Sequence, residues 1–533
     1  MILVRNIRLE PGEPAELLRE RAARELGVSP REIKELKIKK RSLDARKKSD
    51  IHWLYSVAVS VRNEEKALGR ARSKNVCAYE EFEYAIPQIK SAERPVVVGF
   101  GPAGMFAALV LSKAGLRPIV IERGCDVDTR IERVEAFRSG GELDPECNVQ
   151  FGEGGAGTFS DGKLNTGIRD KRISWMLEQF HRHGAPEEIL YDAKPHIGTD
   201  ILTGIVKSIR GEILSLGGEI RFDSKLTGLK TEGSVLTGIE VTDKNGAYAL
   251  PCRCLILAIG HSARDTFEML HTLGVPMEPK AFSMGVRIEH KQSDIDLAQY
   301  GAVYPSFPAA DYSLNVAFED DDTSAYTFCM CPGGEVIAAA SEVGGVCTNG
   351  MSRSKRDGEN ANSALLVTLS PEDFPDKTVL GGMYWQRELE RAVYNASGSY
   401  RACAQTVGDF LARRKSSGAG SVKPSYRPGV FWCELHEVLP ERITSVIERA
   451  LPELGRKLKG FDLPDAVLTA PETRSSSPVR ILRGDDRMSR LRGLIPCGEG
   501  AGYAGGISSA AVDGMKCAEA VIDHLSQQLK HYI

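Results

Sequence analysis

Three valines, Val96-Val97-Val98, run directly into Gly99-Phe100-Gly101-Pro102-Ala103-Gly104, an apolar run that ends in the spacing G-x-G-x-x-G. Each glycine has its own reason. Gly99 permits a tight turn, Gly101 lets backbone amides approach a pyrophosphate, and Gly104 lets the next helix lie close to the strand. A helix beginning near Pro102, with Ala103 in its first turn, aims its positive end at phosphate oxygens. A second strand over 118–122 ends at Glu122, 21 positions past Gly101, with Arg123 beside it. A carboxylate at that distance accepts hydrogen bonds from a ribose hydroxyl pair, and Arg123 is counted with it among the cofactor residues. A solvated Glu122 on a glycine-tight turn explains one of these features but not their conjunction, which reads as a dinucleotide site.

Two more apolar runs end in glycine. Leu257-Ala258-Ile259-Gly260 is one, and Ile495-Pro496-Cys497-Gly498-Glu499 is the other, continuing through Gly505-Gly506-Ile507 into a helix of small residues. Residues 152–157 also satisfy G-x-G-x-x-G, but Thr158-Phe159-Ser160-Asp161-Gly162-Lys163 follows instead of an apolar helix. No strand with a terminal acid comes about twenty residues later, so this segment reads as a loop against the cofactor. Gly157, Thr158, Ser160 and Lys163 are its candidate contacts.

The acid-base chemistry is less defined. His196 and His261 are the histidines nearest these motifs, and titration near neutral pH suits either to proton transfer; a satisfied structural histidine is the plainer alternative. Cys329 and Cys331 flank Met330 on a predicted strand, whose alternation puts both on one face. Cys331 is a candidate redox or nucleophilic thiol, or else a buried core residue. Arg474 is a candidate anchor for an anionic substrate or a cofactor carbonyl, or else the partner of Glu472.

These residues need elements to hold them. Residues 1–92 read as a small basic α/β module: strands over 2–9, 35–41 and 51–61, a helix over 13–26, then a charged linker from 63 to 74. Residues 93–272 form the first part of a cofactor-binding domain, with a βαβ unit, a helix over 201–216 and short strands. Residues 273–463 lack regular alternation and read as an inserted mixed substrate domain, with helices over 383–396, 405–413 and 440–451. Residues 464–533 return to the cofactor-binding domain. The fold class is therefore α/β, α+β overall.

The late Gly498-Glu499 segment resembles the FAD-dependent oxidoreductases of the glutathione-reductase-like fold, whose acid at this place bonds the ribityl chain; here it is Glu499 in place of Asp. The resemblance sets the helix after Ile507 against the flavin pyrimidine edge, where its dipole stabilises negative charge. Further segments narrow it: 151–164, Lys194-Pro195-His196, Cys331-Pro332-Gly333-Gly334, Asn349-Gly350-Met351-Ser352, Pro471-Glu472-Thr473-Arg474 and the basic stretch 40–48. Together they resemble the uncharacterised bacterial FAD-dependent dehydrogenase or oxidoreductase family along essentially the whole chain. That family implies FAD and names no substrate.

Composition agrees with a globular enzyme. The chain has 533 residues, 42% of them hydrophobic and 26% charged, a net charge of -3, and 53 glycines. The glycine share exceeds the background of about 7%, as many ligand-facing loops require. Twelve cysteines are too dilute for a disulfide scaffold and are expected as buried apolar thiols. No metal spacing, secretion signal or membrane span is present, which predicts a cytoplasmic protein. The expected function is hydride transfer between a small organic substrate and flavin N5. Without a second Rossmann unit, electrons come from the substrate, from NAD(P)H bound transiently, or from a redox protein partner. The alternatives are a flavin-dependent RNA-modifying enzyme that uses the basic module, with nucleic acid the lesser reading, and a non-catalytic binding protein of this fold.

Overall fold

The computed structural model describes residues 1–71 and 73–531. Leu494–Pro496, Leu255–Leu257, Val96–Val98, Ile119–Ile121 and Glu219–Arg221 form, in that spatial order, a five-stranded parallel sheet. The first four strands are buried along their whole length, as continuous apolar runs covered on both faces must be. Alternation sends Val97, Ile256, Val120 and Ile495 to one face, under the helices Pro102–Lys113 and Ile507–His531. Val96, Val98, Leu255 and Leu257 face the other way, onto an antiparallel sheet of Lys225–Glu232, Val235–Asp243 and Gly246–Pro251. The two helices touch so closely that a Cβ on Gly514 would run into the backbone of Ala103.

A second large sheet has seven strands: Asn315–Phe318, Thr323–Cys331, Asn360–Leu369, Phe282–Lys291, Val467–Glu472, Ala402–Thr406 and Val430–Trp432. Helix Glu441–Lys457 lays Ile443, Val446, Ile447, Ala450, Leu451 and Leu454 against it, a stripe at helical spacing. The helix predicted over 405–413 is corrected here. Ala402–Thr406 is a buried strand because Cys403 to Thr406 pair with Val467 to Ala470, and only Val407–Leu411 is helical, capped by the Thr406 side chain. Likewise the chain does not rejoin the parallel sheet at 464. It first contributes Val467–Glu472 to the seven-stranded sheet and returns with Leu494–Pro496.

The N-terminal sheet runs Ile33–Asp44, His52–Val61, Ile2–Leu9, Val76–Ala78, all antiparallel. Ile2 and Val4 face helix Leu17–Leu26 and so do Ile7 and Leu9, a change of phase absorbed by a bulge at Asn6, whose φ is 57°. The stretch expected as a linker holds helix Glu64–Arg70, capped by Asn63, with residue 72 outside the described residues; the irregular connection is 79–92. Arg41 docks this module. Its guanidinium takes both Asp192 oxygens at 2.6 and 2.9 Å and lies over the rings of Trp53 and Tyr191.

Four of the cysteines expected as thiols are bonded in pairs, Cys125–Cys147 and Cys403–Cys433, with Cα atoms 5.8 and 5.9 Å apart. Separations of 22 and 30 residues hide such pairs from spacing arguments. Among the described residues no helix is long and apolar enough to cross a membrane.

Candidate functional site

The C-terminal ends of the parallel strands open into a cavity of about 240 Å³. Its floor is the turn after Val98. Gly99 has φ +96° and no space for a Cβ against the Ala258 carbonyl, and Gly104 has none against the carbonyl of Gly99. Gly101 differs: the nearest atom a Cβ would meet is the Gly155 Cα at 3.7 Å, so its open side is the ligand side. Gly101, Pro102 and Ala103 line the cavity, whereas Gly104 packs behind them.

Glu122 closes one end. Its carboxylate accepts the amides of Phe100 at 2.7 Å, Gly124 at 3.0 Å and Gly152 at 2.9 Å, and the residue also lines the cavity. Oε2 carries only the first of these bonds, which leaves it a lone pair. Arg123 is held by Asp265 through two bonds of 2.9 Å and by Glu146, and it lies over Phe151. Burial works against the Asp265 charge, yet Arg123 and Lys225 hold that carboxyl well below the usual range.

The loop at 152–157 lies on the first turn, with the Gly154 amide on the Phe100 carbonyl at 2.8 Å. Gly157, Ser160 and Lys163 reach the cavity. Thr158 does not; its hydroxyl turns back onto the Glu153 carbonyl at 3.4 Å. Among the described residues Lys163 makes no ion pair within 4 Å, although it lies near Asp161, itself paired with Arg356.

At the other end, Gly260 with φ +69° carries His261 into the cavity wall. His261 Nδ1 meets Glu499 Oε1 at 2.9 Å. Gly498 sits behind Glu499 with its amide on Asp513 at 2.8 Å, and Gly506 and Ile507 bring the start of the last helix to the cavity. Gly505 stands just outside, its amide on Ser509 at 3.1 Å.

The roof comes from the seven-stranded sheet and its margin: Phe328, Cys329 and Glu472 lie on its strands, Arg474 and Ser475 follow Val467–Glu472, and Asn349 stands on a separate two-stranded sheet of Gly334–Ala338 and Thr348–Ser352. The pairing of Arg474 with Glu472 is replaced by two separate buried pairs. Glu472 binds Arg287 at 2.7 and 3.0 Å, and Arg474 binds Glu390 at 2.7 and 2.9 Å. Glu390 is shared with Arg264 at 2.8 Å on each oxygen. Cys329 and Cys331 do not simply alternate, because the pairing with Asn360–Leu369 shifts register between Phe328 and Cys331. Cys329 takes φ +44° there and opens into the cavity; Cys331 also lines the cavity but is buried, with its Sγ on the Cys329 carbonyl at 3.2 Å. Desolvation pushes the Cys329 thiol up to about 12, with Lys163 only partly opposing it, and also raises Cys331. Both are protonated at neutral pH.

His196 is placed elsewhere. It bonds the Ser354 carbonyl at 3.1 Å outside the cavity, and burial with the Arg356 charge pushes its pKa below the usual value. Arg264, Arg287 and Glu390 are the charged residues that sequence reasoning missed; they sit in no motif, and only the chain crossing between sheets brings them together.

Residues 281–475 match the family described as "FAD-dependent protein, C-terminal domain-like", and residues 1–60 match a domain of unknown function. An uncharacterized protein of Clostridium beijerinckii is 48% identical over 531 residues, covering 98% of each chain. Among solved structures, p-nitrophenol 4-monooxygenase PnpA from Pseudomonas putida DLL-E4 is 15% identical, with 82% of this chain and 81% of that one covered and a TM-score of 0.37. A flavoprotein/dehydrogenase from Cytophaga hutchinsonii is 12% identical over 82% and 79%, also with a TM-score of 0.37. Likenesses of that size bear on neither activity nor substrate.

Proposed function

The chain belongs to the uncharacterised FAD-dependent family that the Clostridium protein shares with it from end to end, and we propose on that footing that it is an oxidoreductase of the glutathione-reductase-like fold. In this reading it moves a hydride between a small organic substrate and the flavin. FAD is its cofactor. The residues suit that group: a turn whose Gly101 lines the cavity with no atom closer than 3.7 Å to an added Cβ, and a buried carboxylate with a lone pair left.

Bound FAD supplies a two-electron acceptor and donor; the chain supplies position and electrostatics. Gly99, Gly101 and the start of helix Pro102–Lys113 would hold the pyrophosphate, and Glu122 the adenosine ribose. The buried ion pairs fix the roof, so that Cys329, Asn349 and Ser475 face a substrate from constant positions. Lys163 is the cavity charge left for an anionic group.

The observation that carries this reading is that one cavity is lined both by the dinucleotide cradle and by the seven-stranded sheet. The described residues form one parallel sheet with such a cradle, so electrons come from the substrate, from NAD(P)H bound transiently, or from a redox protein. The RNA-modifying alternative gains little from the basic module, where of the patch only Lys40, Lys47 and Lys48 make no ion pair within 4 Å among the described residues. Lys37 and Lys39 are paired with Glu81, Arg41 with Asp192 and Arg46 with Asp44, and the groove beside them has five basic against six acidic side chains. The test is anaerobic bleaching of the yellow protein by NADH and by NADPH. Bleaching by either makes it a reductase with an acceptor to find, and inertness to both points to a substrate dehydrogenase or a protein-fed reductase. A protein that stays colourless after reconstitution with FAD would overturn the proposal.

A further inference from the structure

Lys163 and Asn349 bring two unclaimed groups to the cavity that both residues line. Neither the Lys163 ammonium nor the Asn349 Nδ2 has a hydrogen-bond partner among the described residues, and neither is a buried orphan, so both are accessible. Arg287 decides which end of the Asn349 amide is left over. A guanidinium only donates, so Asn349 gives its Oδ1 to Arg287 at 3.4 Å and to the Gly350 amide at 2.7 Å, and Nδ2 is the free end. The same guanidinium donates to the Cys329 carbonyl at 3.2 Å and is buried against Glu472. A Cβ on Gly350 would run into it. One buried cation therefore sets both Asn349 and Cys329.

Lys163 comes from the loop after Phe159. Its backbone bridges to His196, and the next amide, that of Leu164, sits on the Pro195 carbonyl at 2.9 Å. Its charge favours the thiolates of Cys329 and Cys331 against the burial that opposes them, which puts the ammonium on the roof side of the cavity. The other charged side chains there are balanced: Asp161 by Arg356, Glu472 by Arg287 and Arg474 by Glu390. Cys329 adds an independent sign of function, since a non-glycine residue held at φ +44° is strained, and such strain gathers at ligand sites. The ammonium and the amide both only donate. Shut off from water by cofactor and substrate, an ammonium without a counter-ion is costly, so the group that meets it must accept hydrogen bonds and carry negative charge. A single unpaired cation suits a monoanion.

We infer that the substrate of this site is a small organic carboxylate, its carboxylate group held by the Lys163 ammonium and the Asn349 amide. The inference rests on the oxidoreductase reading above and gives it a substrate class. It moves Lys163 from the cofactor contacts, where the sequence placed it, to substrate recognition.

Full-length, FAD-loaded wild type, Lys163→Met, Lys163→Arg and Asn349→Asp are titrated with acetate and benzoate, with their neutral amides acetamide and benzamide, and with inorganic phosphate, read by calorimetry and by the shift of the flavin band. In the wild type at least one carboxylate binds about tenfold or more tightly than its amide, as a charge-assisted hydrogen bond predicts, and more tightly than phosphate. Lys163→Met loses about tenfold or more in carboxylate affinity, with FAD and amide affinities within about twofold of the wild type. Lys163→Arg keeps the cation and most of the binding. Asn349→Asp keeps an oxygen toward Arg287 but replaces the free donor by an acceptor, and so loses carboxylate binding while retaining FAD; if Lys163→Met fails to fold, this variant decides, because unchanged carboxylate affinity in it overturns the inference. Carboxylates that bind no more tightly than their amides overturn it too, as does a preference for phosphate. So does a Lys163→Met variant that loses FAD, which marks a cofactor contact, or one that loses carboxylate and amide alike, which marks a disturbed wall. A wild type that takes up no FAD overturns the function proposed above instead.

Discussion

Glu122 accepts the amide of Gly152 at 2.9 Å, so the residue expected to hold a ribose also ties the second glycine loop to the first. Its carboxylate satisfies two further amides, those of Phe100 and Gly124. Glu122→Ala leaves three buried donors without acceptors, at about 1–3 kcal/mol each before relaxation. The expected outcome is a large drop in the melting temperature of the apoprotein together with loss of FAD, whereas Glu122→Asp, if merely a ligand were lost, would melt like the wild type. Thermal denaturation of both variants without cofactor checks this.

The glycines of the first turn divide by what a Cβ would strike. Gly104→Ala drives a methyl into the Gly99 carbonyl and is predicted to unfold or strongly destabilise the domain. Gly101→Ala meets nothing closer than 3.7 Å, so it folds with a near wild-type melting temperature while its methyl occupies the ligand side and FAD binding falls by at least tenfold. Calorimetry and FAD titration of the two variants separate fold from function.

Glu390 sits between Arg264 and Arg474, with the carboxylate and both guanidinium groups buried. Glu390→Ala strands two buried cations and is expected to cost about 3–5 kcal/mol, the range for breaking a buried ion pair. Arg474→Ala costs less, because Arg264 still neutralises the acid. Burial opposes the Glu390 charge, but the two guanidinium groups outweigh it and hold the carboxyl well below its ordinary value of 4.5. A depressed folded-state value means that the unfolded chain takes up the proton first. This stability is therefore complete above about pH 5 and is lost as the pH falls through 4.5 and below. Urea unfolding at pH 7 and pH 4 should show the decline in the wild type and a smaller one in Glu390→Gln.

Cys329 and Cys331 both line the cavity, but only Cys329 is exposed there, whereas Cys331 is buried. With its thiol pushed up to about 12, Cys329 is alkylated slowly at pH 7 and faster at each higher pH, because the thiolate is the nucleophile. FAD added beforehand is expected to protect it by covering the cavity. Peptide mass spectrometry after iodoacetamide, with and without FAD, reads the site; labelling of Cys331 at the same rate would contradict the geometry.

Much of the site was legible because it is local. Val96 to Gly104 declares a strand, a turn and a helix start within nine residues, and each glycine is placed by a short-range steric need. The pairing of His261 with Glu499 spans 238 residues, and no spacing rule reaches that far. Arg474 stands out in the sequence, but its partner does not. Glu472 is two positions away in sequence yet turned toward Arg287, while Glu390 arrives on a helix from another part of the chain. The open thiol at Cys329 depends on a register shift, which removes the alternation that sequence reading assumes. Residues 402–406 became a strand only because a neighbouring strand was there to pair with them.

The central claim is that the cavity at the ends of the parallel strands binds FAD, and the most direct measurement is a titration of the purified full-length protein with FAD, followed by its visible spectrum and by the cofactor released on denaturation. The account predicts one FAD per chain with a flavin absorbance band, displaced by ADP and lost in Gly101→Ala. A folded wild-type chain that takes up no FAD, or one whose FAD binding is untouched by Gly101→Ala, would contradict it.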